Sequence, residues 1–220
     1  MIQRAIDSYA DLESIPGIKG FLISRVQMLD VSVGRSEAMD RLAPYHRLIL
    51  AEQNLGDFPL VTAEQVHGSE IASIFSVDAP FPPPIPGVDG IITQSRGVTL
   101  GIYVADCAPV WVVARDGSIG ALLHSGKKGT ELAIVRKAIQ KFSSLGVGPE
   151  NLMVLIGACI RPPCYEVDFA ADILNQAHEE GVTSVHDCGI CTACHPDRYY
   201  SYRREKGLTG RMLATLTLLP

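Results

Sequence analysis

Four short apolar segments follow one another between residues 90 and 124, and this succession constrains the fold more than any other feature of the sequence. All are rich in Val, Ile or Leu, which favours β-strands. They are Gly90–Thr93, Val98–Val104, Pro109–Ala114 and Ser118–His124. Two further strands are predicted at Leu152–Gly157 and Arg211–Leu219. Because the strands do not alternate strictly with helices, the expected fold class is mixed α/β, a mixed sheet with flanking helices.

Three helices are predicted beside these strands. The apolar residues of Glu131–Leu145 recur at helical spacing. A second helix covers Phe169–Glu180 and ends before Gly181, a residue type that commonly follows a helix end. A third covers Ser36–Leu50.

A proline-rich segment runs from Pro80 to Gly87 and contains five prolines. Proline is incompatible with a helix interior, so the segment is predicted to be a stiff, extended connection. The apolar pattern resumes on both sides of it, which favours a surface loop over a domain boundary. Residues 1–220 are therefore expected to form a single domain, long enough to bury a substantial core.

The charge balance excludes several classes of partner. The chain has 19 Lys and Arg against 24 Asp and Glu, a net charge of −5, whereas proteins that bind nucleic-acid polymers or anionic membranes carry basic surfaces. Any anionic ligand must therefore be held by local donors. The segment Met1–Gly20 mixes charges of both signs, and the apolar run Val98–Ala114 is interrupted by Asp106 and Pro109, so neither a signal peptide nor a membrane span is expected. A cytoplasmic protein with reduced cysteines is predicted, which favours metal binding or catalysis over disulfides.

Two histidines and one cysteine stand at the ends of apolar segments: His67, Cys107 and His124. If they converge, one thiolate and two imidazoles with an open fourth position form a suitable catalytic zinc site. Copper is the alternative, but a blue-copper centre adds an axial Met, none of which lies close in sequence, and six histidines are too few for a multicopper cluster. Without metal, Cys107 could act as a nucleophile with either histidine as base. The simplest interpretation is hydrogen-bonded histidines and a core cysteine.

Two further segments carry polar or reactive groups. Residues 126–130 (Gly-Lys-Lys-Gly-Thr) connect a strand to a helix and suit phosphate or sulfate, although a solvated turn is the simpler interpretation. Cys191–His195 matches the C-x-x-C-H haem pattern and, with Cys188, a metal-cluster pattern, but a tight loop of reduced cysteines is favoured. The C-terminal arginines Arg203, Arg204 and Arg211 are interpreted as surface residues.

Seven short motifs follow one another along the chain: Gln65-Val66-His67-Gly68, Asp89-Gly90-Ile91-Ile92-Thr93, Ala105-Asp106-Cys107-Ala108-Pro109, His124-x-Gly126-x-x-Gly129-Thr130, Ile156-Gly157 with Cys164-Tyr165-Glu166-Val167, Cys191-Thr192, and Ser201-Tyr202-Arg203-Arg204 with Thr209-Gly210-Arg211. Taken in this order, they resemble the family known as polyphenol oxidase or laccase-domain proteins. Members of this family are mostly described as zinc-dependent purine nucleoside phosphorylases that also deaminate adenosine. The resemblance implies two packed mixed sheets flanked by helices, similar in shape to some toxin deamidases.

The resemblance also implies which residues act. It places the metal ligands at His67, Cys107 and His124, which would also be catalytic, and Asp106 is our candidate proton carrier. Purine nucleoside and phosphate are the expected partners, with Gln65, Lys127, Lys128 and Gly129 as candidate contacts. The family usually has Trp-Arg where this chain has Lys127-Lys128, which retains the charge but loses a stacking surface and a bidentate donor. Copper-dependent phenol oxidation, metal-free thiol hydrolysis or deamidation and a non-catalytic metal-binding module are the alternative functions, and the sequence does not define the oligomeric state.

Overall fold

The computed structural model describes residues 6–77 and 79–220, so Arg4 of the charged N-terminal segment lies outside the described residues. The strands in this part of the chain are β1 (Ile6–Ser8), β2 (Ile18–Ile23), β3 (Leu60–Thr62), β4 (Ile71–Ile74), β5 (Gly90–Thr93), β6 (Val98–Val104), β7 (Ala108–Ala114), β8 (Gly120–Ser125), β9 (Leu152–Ile156), β10 (Ser184–Asp187) and β11 (Met212–Leu218). The helices are α1 (Ala10–Glu13), α2 (Arg35–Glu52), α3 (Lys127–Glu131), α4 (Ile134–Ser144) and α5 (Phe169–Glu179), with 3₁₀ turns at Pro149–Asn151 and Thr192–Cys194.

These strands form two sheets, and both sheets are mixed. The five-stranded sheet has the order β1-β2-β11-β6-β3, in which only β3 is parallel to its neighbour. The six-stranded sheet has the order β10-β9-β7-β8-β5-β4, in which the two edge pairs are parallel and the central pairs antiparallel. The predicted mixed α/β fold class is confirmed.

The main core lies between the two sheets. The fully buried Trp111 of β7 packs there with Leu122 of β8 and with Leu100 and Leu216 of the five-stranded sheet. Its indole N–H donates a hydrogen bond of 2.9 Å to the carbonyl oxygen of Thr215, which joins the sheets through a polar contact as well as an apolar one.

Helices cover the outer face of each sheet. Side chains alternate along a strand, so Val110 and Val112 of β7 point away from Trp111 and pack in a second cluster with α4 and α5. The outer face of the five-stranded sheet packs on α2 through residues such as Ile49 and Leu50. Burial on both faces explains the continuous apolar sequence of β7. The expectation of two packed sheets flanked by helices is confirmed.

The helix predicted at Glu131–Leu145 is wrong at its start. The chain forms the short helix α3, then breaks, and α4 begins only at Ile134. The break falls at Ala133, whose φ of 58° is left-handed and cannot continue an α-helix. The residues after Gly126, predicted to be a loop, are therefore mostly helical.

The proline-rich segment is a loop, as predicted. Its described residues form neither helix nor strand, and an isolated bridge between Ala63 and Ile85 fixes its far end against the segment after β3. The organisation of residues 1–220 as a single domain stays a prediction. Among the helices of the described residues, none has the length and apolar character needed to cross a membrane.

Candidate metal centre

Three separate segments bring His67, Cys107 and His124 together. His67 precedes β4, Cys107 lies between β6 and β7, and His124 is near the end of β8. One nitrogen of each imidazole and the Cys107 sulfur all lie within 4.8 Å of one another. The two imidazole rings meet edge to face, with centroids 4.9 Å apart. The convergence is as expected from the sequence, whereas the role of the three as metal ligands stays a prediction.

The backbone around this cluster adopts unfavourable conformations. Gln65, His67 and Asp106 have φ angles of 63°, 59° and 86°, in the left-handed region that non-glycine residues rarely occupy. Each such residue costs on the order of 1–3 kcal/mol and persists only where its surroundings compensate. One of these residues is the candidate ligand His67, and another, Asp106, directly precedes the candidate ligand Cys107. Their left-handed conformations indicate that the fold stabilises this arrangement specifically.

The compensation beside His67 comes from Asp89, whose carboxylate is fully buried. One oxygen, Oδ2, accepts hydrogen bonds from the amides of Val66 and Gly68 at 3.1 and 2.6 Å, and Oδ1 accepts one from the His67 amide at 2.9 Å. A charged acceptor receiving three amide donors fixes the 66–68 turn strongly.

The same carboxylate also orients His124. The Nδ1 atom of His124 lies 2.8 Å from Oδ1 of Asp89, which leaves Nε2 as the nitrogen available to Cys107 and His67. A carboxylate behind a ligating histidine is the usual arrangement in protein metal sites. Burial raises the pKa of Asp89, but the hydrogen bonds from His124 and the backbone amides outweigh burial and lower it. Asp89 was not among the predicted site residues, although an acidic residue directly before an apolar strand was a signal that could have identified it.

The cluster favours a thiolate at Cys107. Burial acts to raise the pKa of Cys107, but the charge and hydrogen bonds of His124, together with those of His67, lower it to about 6. Burial acts to lower the pKa of His124, and its contacts with Cys107 and Asp89 raise it to about 9. Thiolate sulfur and imidazole nitrogen are the donors that Zn²⁺ prefers. The residues present therefore fit a zinc ion with an open coordination position.

Glycine is required next to this thiolate. A Cβ atom on Gly126 would lie 2.5 Å from the Cys107 sulfur, so a larger residue would displace the thiol. Gly129, a predicted phosphate contact, is buried, and a Cβ atom there would lie 3.2 Å from the carbonyl oxygen of Gly68, so glycine lets α3 pack closely against the 66–68 turn. It is not among the residues that line the cavity, and its part in phosphate binding stays a prediction.

Two other predicted site residues are held by internal hydrogen bonds. The Gln65 amide donates to the carbonyl oxygen of Tyr103 at 2.6 Å and accepts from the Tyr103 amide at 2.9 Å. The Asp106 carboxylate accepts from the Thr192 hydroxyl at 2.6 Å and from the Arg203 amide at 2.7 Å. Both residues line the cavity, but these contacts favour positioning roles, and their predicted parts in substrate binding and proton transfer stay predictions.

A cavity of about 1080 Å³ opens over the cluster. Its cationic wall residues are Arg35, Lys127, Lys128, Arg203, Lys206 and Arg211. Its aromatic wall residues are Tyr103, Tyr165, Phe169 and Tyr202. A cavity with cations and aromatic rings beside a metal-ligand set suits a ligand that has both an anionic group and a flat ring system.

Several of these wall residues were not predicted from the sequence to belong to the site. Arg203 and Arg211, interpreted as surface arginines, belong to the wall. The Arg203 guanidinium lies 4.9 Å from the Tyr165 ring centre and bonds to Glu166 at 2.9 Å. Arg211 lies 5.8 Å from the ring centre of Tyr202. These contacts depend on folding of the C-terminal segment across the cavity, which local sequence patterns do not encode.

The chain is similar to known proteins in both sequence and structure. A family model described as multi-copper polyphenol oxidoreductase laccase matches residues 19–180 and 167–219. The chain is 31% identical to the purine nucleoside phosphorylase YlmD of Geobacillus stearothermophilus, with 71% of this chain and 72% of the relative covered. It is 28% identical to a purine nucleoside phosphorylase of Streptomyces coelicolor, with 86% and 88% covered. The crystal structure of the Geobacillus YlmD superimposes with a TM-score of 0.82 at 22% identity, covering 99% of this chain and 100% of the other.

Proposed function

As the chain belongs to the multi-copper polyphenol oxidoreductase laccase family, we propose that it is a zinc-dependent enzyme that phosphorolyses purine nucleosides. The names of its relatives support this activity. The observation that carries the proposal is the position of the His67, Cys107 and His124 cluster at the base of a cavity whose walls are cationic and aromatic. We expect the enzyme to act in the cytoplasm, where Cys107 stays reduced.

The ligand cluster supplies the base of the active site. His67, Cys107 and His124 would hold the zinc ion, which when bound supplies Lewis-acid stabilisation of negative charge. Asp89 fixes the orientation of the His124 imidazole through its 2.8 Å hydrogen bond. Gly126 leaves the space that the Cys107 sulfur occupies.

The cationic wall would bind phosphate. Lys127 and Lys128 project from α3, and both are exposed to the cavity. Arg203 adds a guanidinium group on the cavity wall, and its backbone amide is fixed by Asp106. Ammonium and guanidinium groups form charge-assisted hydrogen bonds with phosphate oxygens. These cations account for phosphate binding by a chain whose net charge is −5.

The aromatic wall would bind the purine. Tyr165 and Tyr202 line the cavity, each with an arginine guanidinium near its ring. In phosphorolysis a phosphate oxygen bonds to C1′ of the ribose while the bond from C1′ to the base breaks. The base leaves with the electron pair and takes up a proton, giving free purine and ribose 1-phosphate. The residues of the wall promote this by holding both reactants in contact.

The same cavity would admit water in place of phosphate. Attack of water on C6 of adenosine would release ammonia and leave inosine. Asp106 is the candidate proton carrier for this reaction, and hydrogen bonds from the Thr192 hydroxyl and the Arg203 amide hold its carboxylate at the cavity.

A metal-free thiol reaction is the second candidate, favoured by one observation. The Cys107 pKa of about 6 and its contact with His124 resemble an activated cysteine nucleophile. Removal of metal separates the two functions. A strong chelator should abolish nucleoside turnover by a zinc enzyme and leave a thiol hydrolase fully active.

The direct test is incubation of the purified protein with inosine and phosphate, with hypoxanthine measured by chromatography. Wild type should release hypoxanthine only when phosphate is present, and Cys107→Ala should release none. Cys188→Ser is the matched control because Cys188 belongs to neither cysteine-containing ligand group of the described residues. Equal background release by wild type and Cys107→Ala would refute the proposal. Bound zinc without turnover of any nucleoside in a panel would identify a non-catalytic metal-binding module instead.

A further inference from the structure

A second group of possible metal ligands lies apart from the site described above. Its members are Cys164, Cys191 and Cys194, whose sulfur atoms all lie within 4.8 Å of one another. The sulfurs of Cys164 and Cys194 are 3.4 Å apart. All three cysteines are free thiols, with Cys191 buried, Cys164 partly buried and Cys194 exposed.

The fold brings these thiols together from two distant segments. Cys191 directly precedes the 3₁₀ turn at Thr192–Cys194, and Cys194 is the last residue of that turn, so the two cysteines have C-x2-C spacing. Cys164 lies between β9 and α5, and its segment folds back on this turn. Backbone contacts fix the approach, since the Thr192 amide donates to the carbonyl oxygen of Cys159 at 3.1 Å.

The sulfur separations match a tetrahedral thiolate site. A Zn–S bond of about 2.3 Å in tetrahedral geometry places two ligating sulfurs about 3.8 Å apart. The separation of 3.4 Å between the Cys164 and Cys194 sulfurs is near this value, and the Cys191 sulfur lies within 4.8 Å of both. Three protein ligands with water in the fourth position is a coordination that Zn²⁺ adopts in proteins, and thiolate sulfur is one of its preferred donors. The exposure of Cys194 leaves room for water as a fourth ligand.

The surroundings provide positive charge for such an anionic group. The Arg204 guanidinium donates a hydrogen bond of 3.1 Å to the carbonyl oxygen of Ala193, inside the turn. Three thiolates with one Zn²⁺ carry a net charge of −1, which a nearby guanidinium stabilises.

We propose that Cys164, Cys191 and Cys194 bind one Zn²⁺ ion in a second, thiolate-rich site, separate from the His67, Cys107 and His124 cluster. This ion ties together two segments that adjoin or contact residues of the cavity wall. Cys164 directly precedes Tyr165 and Glu166, both of which contact Arg203. Thr192, between the other two cysteines, holds Asp106 at 2.6 Å.

The test uses the Cys107→Ala background, which disables the first cluster. The full-length protein is purified under reductant, loaded with Zn²⁺ and dialysed, and zinc per chain is measured by elemental analysis. We expect one equivalent in Cys107→Ala. Adding Cys194→Ser, a change at an exposed position, should remove it, whereas adding Cys188→Ser should retain it.

Two further measurements, Cd²⁺ absorption and thiol titration, distinguish a bound metal ion from a disulfide. Cd²⁺ in place of Zn²⁺ should give a thiolate-to-metal ultraviolet absorption in Cys107→Ala that Cys194→Ser loses. Equal zinc content in the Cys194→Ser and Cys188→Ser proteins would overturn the proposal. So would the loss of two titratable thiols without zinc, because that identifies a Cys164–Cys194 disulfide instead. Neither the zinc content nor the ultraviolet absorption depends on nucleoside turnover. The second zinc site is therefore tested separately from the proposed activity.

Discussion

The Nδ1 atom of His124 lies 2.8 Å from Oδ1 of the buried carboxylate of Asp89. The same carboxylate accepts the amides of residues 66–68. One side chain therefore positions two of the three candidate ligands, His124 through its ring and His67 through its backbone. Replacement of this residue tests the metal centre without removing any ligand.

Asp89→Asn should weaken zinc binding by about 10- to 100-fold, the range usual for outer-shell partners of metal ligands. The amide removes the negative charge and puts an N–H group where acceptors are needed. Chelator competition measures the affinity. Asp116→Asn, at an exposed turn residue that bonds only to Ser118, is the matched control and should leave the affinity unchanged. An unaltered affinity in Asp89→Asn would show that the carboxylate does not support the site.

Gly126→Ala should abolish metal binding while the protein stays folded. The new methyl group would lie 2.5 Å from the Cys107 sulfur, and the φ of Gly126, −99°, is accessible to alanine. The defect is therefore steric and local. Gly34→Ala is the control, since Gly34 also precedes a helix but has nothing within 4 Å of the added Cβ. Normal zinc content in Gly126→Ala would show that the thiol is free to move.

Replacement of both Lys127 and Lys128 with Ala should raise the KM for phosphate by about 10-fold or more and leave the KM for inosine nearly unchanged. A hydrogen bond to a charged group contributes about 1.5–3 kcal/mol, and each 1.4 kcal/mol is a factor of 10. Initial-rate kinetics with each substrate varied in turn separates the two constants. Lys141→Ala, which removes a lysine outside the cavity wall, should change neither. A larger change in the inosine constant would place the lysines at the nucleoside instead.

Lowering the pH should reduce the free energy of unfolding, because His46 binds a proton more readily in the unfolded chain than in the folded one. Within residues 6–77 and 79–220, neither ring nitrogen of this buried residue has a hydrogen-bond partner, and burial lowers its pKa from 6.5 to about 4. The unfolded chain then binds the proton more readily, so this contribution to stability falls as the pH falls from about 6.5 toward 4. Between pH 7 and pH 5 the loss amounts to about 2 kcal/mol.

Denaturant unfolding at the two pH values measures this loss. His46→Phe keeps a ring against Tyr103 and should remove about 2 kcal/mol of the acid sensitivity. His195→Phe, at an exposed histidine, should retain it. Equal pH dependence in wild type and His46→Phe would contradict the assignment.

The strands that the sequence predicts well are those buried on both faces. β7 and β9 are continuous apolar runs because one face of each packs on the opposite sheet and the other face packs on helices. By contrast, β1, β4 and β10 are both short and only partly buried, and β3 has only three residues, so their sequences carry too little apolar pattern to separate them from loops. The four residues of β5 are all buried, and this strand was predicted. The break at Ala133 was also not predicted, because alanine is a strong helix former and is not a residue type that marks a left-handed φ.

The residues of the candidate site likewise divide into those that the sequence predicts and those that it does not. His67, Cys107 and His124 were recognisable because cysteine and histidine at strand ends are chemically distinctive. Asp89 was not, since its function depends on contacts with residues more than twenty positions away. The approach of Cys164 to Cys194 likewise follows only from the folded path between β9 and α5.

The position of β11 has a consequence for how this protein is made. β11 lies between β2 and β6 in the five-stranded sheet, with Leu213 paired to Ile23 on one side and to Tyr103 on the other. During synthesis, β2 and β6 leave the ribosome long before the strand that must separate them. Their exposed edges must stay unpaired until residue 218 has emerged, and strand pairing over such sequence distances is slow. Nascent chains halted before β11 should therefore depend on chaperones for solubility.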